Sequence, residues 1–209
     1  MKTNFDEMRA DPQGYWERRY KTGSPHSSGR PGTALRRFVE PLAAGRALEL
    51  GCGKGDDAVW LAGAGWSVVA VEIAAAAIEL AAANAARAGV ADRIRFEQHD
   101  LSRAFPDGTF DLVVASFLAA FPREEVLRRA AGSVAPGGHL LIIEHGSRPP
   151  WSTAPDDWRF PVAAETVEAL ALEEGAWRPV HVGSLEREMT GPEGERASVL
   201  DTVVFLRRL

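Results

Sequence analysis

The stretch RALELGCGKGDDAVWLA, residues 46–62, runs an apolar segment into an acid, then through glycines at 51, 53 and 55, and continues without a break into a helical pattern. No other feature restricts the fold as much. Glycine at alternate positions lets the backbone turn sharply and admits a ligand where any Cβ would block it. A strand that passes through such a turn into a helix opens a βαβ unit, and the ligand is delivered to the helix N-terminus. In the dinucleotide fingerprint G-x-G-x-x-G the third glycine follows the second by three residues and a pyrophosphate sits on the helix dipole. Here it follows by two, and Glu49 stands just before the turn. A carboxylate there repels a pyrophosphate and suits a cationic group, such as an ammonium reached through water.

The chain on either side supports a mostly parallel sheet. WSVVAVE, RIRFEQ, FDLVVAS and HLLIIEH read as strands, alternating with helical patterns in AAAAIELAAANAARAG and REEVLRRAAGSV. Ahead of the glycine turn, residues 21–32 (KTGSPHSSGRPG) form a loop and TALRRFVEPL a short amphipathic helix. After residue 146 comes a loop rich in Pro and Trp, then a helix VAAETVEALALEEG ending at Gly175. Two β-like runs, RPVHVGSLERE and ASVLDTVVFLRR, flank the turn MTGPEGER, which predicts a closing antiparallel hairpin. The expected architecture is α/β, a seven-stranded, mostly parallel sheet with helices on both faces. Its expected division is an N-terminal cap and loop over residues 1–45 and the main domain over 46–209.

Composition narrows the partners. At 209 residues the chain suits one domain. Its net charge of -5 argues against a nucleic-acid binder, which needs a basic stripe for phosphates. The single cysteine, Cys52, excludes an intramolecular disulfide and gives no zinc-type cluster, so no metal is expected and a reducing cytoplasm is the natural compartment. The N-terminus lacks the apolar core of a signal peptide, and no apolar run approaches the roughly 20 residues that span a bilayer. A small-molecule partner and a monomer or homodimer are expected.

The spacing ELGCGKG resembles motif I of class I S-adenosylmethionine-dependent methyltransferases, which have a Rossmann-like fold. The resemblance extends through YWERRY, SSGRPG and the tail REMTGPEGERASVLDTVVF to the small bacterial methyltransferases related to the tellurite-resistance and thiopurine S-methyltransferase groups. It implies S-adenosylmethionine as cofactor and S-adenosylhomocysteine as product. By the same resemblance, Glu49, Gly51, Cys52, Gly53 and Gly55 hold the methionine end, Glu72 and Ile73 the ribose, and Asp100 and Leu101 the adenine. Ser116 and Phe117 follow the fourth strand at the same edge, and Trp16, with Tyr20, covers the cofactor from an N-terminal helix. Three departures limit transfer of substrate identity: Ser27 to Gly32 lack the Trp and Asn of the family's loop, Glu72 and Ile73 replace Asp and Phe, and Glu186 with Arg187 replaces a His-Arg pair.

Methyl transfer from a sulfonium needs alignment more than a catalytic group, and a base only when the nucleophile starts protonated. His145, His26 and Arg187 are the catalytic candidates, the first two as bases and the third as an anion holder. Each has a plainer role open to it: a hydrogen-bonded structural histidine, an exposed loop histidine and a salt-bridged strand residue. Trp151, Trp158 and Phe160 form either an apolar substrate wall or anchors for their loop. The expected acceptor is a thiol, selenol or chalcogen oxyanion. O- or N-methylation, a nicotinamide-linked oxidoreductase and a binding protein without catalysis are the alternatives.

Overall fold

The computed structural model describes residues 4–23, 29–152 and 158–209. Three helices, α1 (Asn4–Ala10), α2 (Pro12–Thr22) and α3 (Thr33–Val39), precede the first strand. Then follow β1 (Arg46–Leu50), α4 (Asp56–Gly63), β2 (Ser67–Glu72), α5 (Ala75–Arg87), β3 (Ile94–Gln98), β4 (Phe110–Ser116), α6 (Arg123–Gly132) and β5 (Val134–His145). The chain closes with α7 (Ala163–Ala169), β6 (Trp177–Thr190) and β7 (Arg196–Arg208).

The seven strands form one sheet in the order β3-β2-β1-β4-β5-β7-β6. β1 to β5 run parallel, and β7 pairs antiparallel with both β5 and β6. The expected closing hairpin is therefore present. Side chains alternate between two cores, as the pleat requires. Leu112, Val114, Leu141 and Ile143 face the layer of α3, α4 and α5, whereas Leu48, Val113, Leu140 and Ile142 face α6 and α7. Burial on both faces is why β1 and β4 read as nearly continuous apolar runs.

Strand order reverses between β1 and β4, so the loops after those two strands diverge and leave a crevice at the carboxyl edge. The glycine turn follows β1 and Phe117 follows β4. In contrast to α3, which sinks Ala34, Leu35 and Val39 into the core, α2 buries none of its residues. A capping Asp11, whose side chain accepts from the Gly14 amide at 2.9 Å, and Pro12 at the first turn start it.

The helix expected to run to Gly175 ends at Ala169. Ala171 adopts φ +50, and Leu170 and Leu172 both pack on the core beside α6. Residues two apart point to nearly opposite sides of a helix, so both can reach the same core only if the helix stops. Among the described residues, no helix is long and apolar enough to cross a membrane.

Leu112 is fully buried in the middle of β4, between β1 and β5. Leu112→Ala is expected to cost about 2–5 kcal/mol, through lost transfer energy and an uncollapsed cavity. Urea unfolding should show a lower midpoint with an unchanged slope.

Candidate active site

The glycine turn is built by backbone hydrogen bonds to the neighbouring strand. The amides of Gly51 and Cys52 both donate to the Val71 carbonyl, at 2.8 and 2.9 Å. Gly51, Gly53 and Gly55 all have positive φ, and Gly55 leads directly into α4. Glu72, ending β2, fixes the turn from the other side. Its Oε2 accepts from the Gly53 amide at 3.1 Å, and its Oε1 from Ile73 and Ala74 at 2.8 and 3.1 Å. Three of a carboxylate's roughly four acceptor positions are thus taken, leaving Oε2 the freer oxygen.

Four carboxylates gather behind this turn. Asp56 and Asp57, in the first turn of α4, accept from the amides of Gly29 and Gly32 at 2.8 and 2.7 Å and so tie down the preceding loop. Burial pushes the carboxyls of Asp57 and Glu72 above their usual range. Glu49 is 3% exposed, and its Oε2 has no hydrogen-bond partner among the described residues. Burial, then the charges of Asp57, Glu72 and Asp56, push its carboxyl well above 4.5. An orphaned buried carboxylate oxygen within an acidic group fits a ligand that brings positive charge. S-adenosylmethionine, with an ammonium and a sulfonium, is such a ligand.

A cavity of about 90 Å³ lies in front of the turn, lined by Trp16, Tyr20, Gly51, Glu72, Ile73, Asp100, Leu101 and the segment Phe117 to Phe121. Its roof is α2. Glu17 accepts from the Ala76 amide at 3.1 Å, capping α5 across a gap in sequence, and Lys21 pairs with Glu17 at 3.0 Å. Trp16 and Tyr20 pack together with ring centroids 5.9 Å apart. A Cβ on Gly53 would stand 2.8 Å from the Tyr20 hydroxyl. Ligand pockets commonly measure roughly 300–1,000 Å³, so a nucleoside-sized ligand needs more room than this cavity gives, and the Tyr20 hydroxyl occupies part of the space over the turn.

At the far end Asp100 lines the cavity and also caps the turn after β3, its Oδ1 accepting from the Ser102 amide and hydroxyl at 3.0 and 2.6 Å. Glu49, Cys52, Gly53, Gly55 and Ser116 lie in or behind the wall without lining the cavity. Cys52 is buried and its thiol is pushed up by burial, so it stays protonated.

A second cavity, of about 640 Å³, opens on the other side of Phe117 to Phe121. Asp6, Met8 and Arg9 of α1, Arg123, Glu144, His145 and residues 158–161 complete its wall. Phe117, itself at φ +50, stacks on His145 with centroids 4.5 Å apart. Burial, then the Arg187 charge, holds the His145 imidazole below its usual pKa, so it is neutral at pH 7 and available as a proton acceptor. Arg187 is paired, its Nε donating to Asp201 Oδ2 and Oδ1 at 2.7 and 2.9 Å, and its guanidinium lies 5.7 Å from the Phe117 ring. It braces the wall and does not line either cavity. Glu186 points away, bonded to the Ser198 hydroxyl on the exposed side. Trp158 and Phe160 line the cavity, whereas Trp151 does not. His26, Ser27 and Ser28 fall outside the described residues.

Several contacts around the two cavities join positions that no local pattern brings together. Glu17 and Asp57 act through backbone amides of distant segments, and Arg123 pairs bidentately with Glu144 across 21 positions. The run FLAAF, residues 117–121, offers the one usable signal, an apolar connection on an edge where loops are ordinarily polar. Among the described residues, no group of three or more His, Cys, Asp or Glu is placed to hold a metal ion.

A family model described as Methyltransferase domain matches residues 47–138, from the glycine turn through β4 into β5. A probable thiol methyltransferase 2 of Arabidopsis thaliana is 27% identical over 177 residues, 79% of this chain and 78% of that protein. A 27-O-demethylrifamycin SV methyltransferase of Amycolatopsis mediterranei is 39% identical over 107 residues, 49% of this chain and 39% of that protein. The chain spans less than half the length of the first curated relatives it matches. Two solved structures share the fold. One, from work on the conversion of a disulfide bond into a thioacetal group during echinomycin biosynthesis, has a TM-score of 0.71 at 23% identity, covering 94% of this chain and 92% of its own. The other, TehB from Haemophilus influenzae, has a TM-score of 0.67 at 17% identity, covering 94% and 67%. Residues 47–138 are thus similar to a methyltransferase domain, and the chain has the Rossmann-like fold of these structures, a mostly parallel seven-stranded sheet with a closing antiparallel hairpin.

Gly53→Val is expected to abolish S-adenosylmethionine binding by calorimetry while circular dichroism shows a folded protein, since φ is +52 there and the added atoms fill the space over the turn. Glu49→Gln removes a buried charge. A carboxyl whose folded pKa is raised loses stability as pH rises from about 4.5, the ordinary value, through the raised one. At pH 8 the variant without ligand should therefore melt about 2–4 °C higher, as for ~1 kcal/mol in a chain of this size. The same change should weaken S-adenosylmethionine binding.

Proposed function

We propose that the protein is an S-adenosylmethionine-dependent methyltransferase acting on a small soft nucleophile, a thiol, selenol or chalcogen anion, with residues 1–45 serving as cap and loop. The observation that carries the reading is the meeting of two cavities across Phe117 to Phe121, one backed by carboxylates and the other walled by aromatic and aliphatic side chains. Similarity to a thiol methyltransferase over most of both chains supports the choice of acceptor.

In this reading the glycine turn, Glu49 and Glu72 bind the cationic and ribose parts of the cofactor, and Asp100 with Leu101 meets its adenine. When bound, the cofactor supplies a methyl group on a sulfonium, open to in-line displacement. Trp16 and Tyr20 exclude water from above. The Phe117 ring shields the boundary where the two reactants meet. His145, neutral and stacked on that ring, accepts a proton where the acceptor arrives protonated.

A second reading, O-methylation, is favoured by the same neutral imidazole, which a thiolate does not require. Thiols ionise near pH 8.5, so a useful thiolate fraction exists without a base, whereas an alcohol needs one.

The two readings separate in the pH dependence of S-adenosylhomocysteine formation. With a thiol, the rate should rise with the acceptor's own ionisation, and His145→Ala should change it by less than about tenfold. With a hydroxyl acceptor, the wild-type rate should fall as pH drops through the lowered pKa of His145, and His145→Ala should cost roughly 10²–10⁴-fold. Turnover of hydroxyl or amine acceptors alone would overturn the soft-nucleophile reading.

A further inference from the structure

The larger cavity carries more positive charge than its apolar wall needs. Three guanidinium groups, those of Arg9, Arg123 and Arg159, line it against two carboxylates, Asp6 and Glu144, in a protein of net charge -5. Arg123 and Glu144 cancel each other. The Arg123 Nε donates to Glu144 Oε1 at 2.7 Å, its Nη2 reaches Oε2, and Thr166 joins the pair from α7. Arg9 rests over the Phe121 ring, 5.1 Å from its centroid. Arg159, between Trp158 and Phe160 on the same wall, has no ion-pair partner among the described residues. His145 adds no charge at neutral pH, because burial and Arg187 hold its pKa down.

We infer that the acceptor carries a carboxylate at the end remote from its reacting atom, and that Arg159 is the residue that selects it. A guanidinium presents a planar fork that matches a carboxylate in a bidentate arrangement, and an aromatic wall on either side limits the orientations it can take. The inference rests on the thiol reading above. It deepens that reading from a soft nucleophile to a mercapto acid, with the sulfur directed to the Phe117 boundary and the carboxylate to the 158–161 segment. Because Arg159 is exposed, its contribution lies at the low end of the range for hydrogen bonds to a charged group, about tenfold in affinity.

The test compares 3-mercaptopropionate with 3-mercapto-1-propanol, acceptors of equal reach, by S-adenosylhomocysteine formation expressed per thiolate. The wild-type chain should favour the acid by about tenfold in kcat/KM, with the difference mainly in KM, and 0.5 M salt should narrow the gap by screening. Arg159→Ala should bring the ratio of the two acceptors towards one, and Arg159→Lys should retain part of it as a point charge. Melting temperatures of both variants confirm that they are folded. Equal turnover of the two thiols by the wild type, or an unchanged ratio in Arg159→Ala, overturns the inference and leaves thiol methylation standing. Turnover of neither thiol, with hydroxyl acceptors active, removes both.

Discussion

Three backbone amides, those of Gly53, Ile73 and Ala74, converge on the Glu72 carboxylate, and the geometry of the carboxyl edge depends on that convergence. The first holds the glycine turn against β2. The other two shape the approach to α5. A single side chain thereby ties the glycine turn to the start of α5, beside the backbone bonds from Gly51 and Cys52 to Val71. Burial pushes the carboxyl up, and the three amides work against that push because each favours the ionised form. Glu49 lacks that compensation on Oε2, so the two acids, though neighbours on adjacent strands, play different electrostatic roles.

The sheet was legible because its central strands are buried on both faces. Val68 to Val71 and Leu112 to Ala115 are apolar without alternation, and glycines punctuate the connections. The carboxyl edge of the sheet was legible because the glycines, Glu72, Asp100 and Ser116 each stand at or just after a strand end. The helix after residue 162 was not, since its apolar pattern continues past Ala169 and only the core beneath Leu170 and Leu172 stops it. The larger cavity was legible in part. Trp158 and Phe160 announce themselves by type, but Met8 and Arg9, Arg123, and Glu144 come from three separate elements, and no local period records that they meet.

Arg187 illustrates how a strand residue can matter without touching a ligand. The antiparallel register sets Asp201 opposite His145, and Asp201, 1% exposed, is tolerable there because Arg187 reaches it with two hydrogen bonds. The two charges act on the imidazole in opposite senses, Arg187 favouring its neutral form and Asp201 its charged form, and burial is the larger cause that holds its pKa down. Breaking such a pair by removing the arginine would strand a buried acid beside the histidine.

The absence of any buried residue in α2 bears on access. The helix is held by Glu17 on the Ala76 amide, an exposed ion pair from Arg18 to Glu7 of α1, and two aromatic rings laid on the cavity. Contacts of that kind give a low local unfolding free energy while the sheet beneath remains intact. Access to the smaller cavity is thereby separated from the stability of the sheet, since the eleven residues that roof it add nothing to either core.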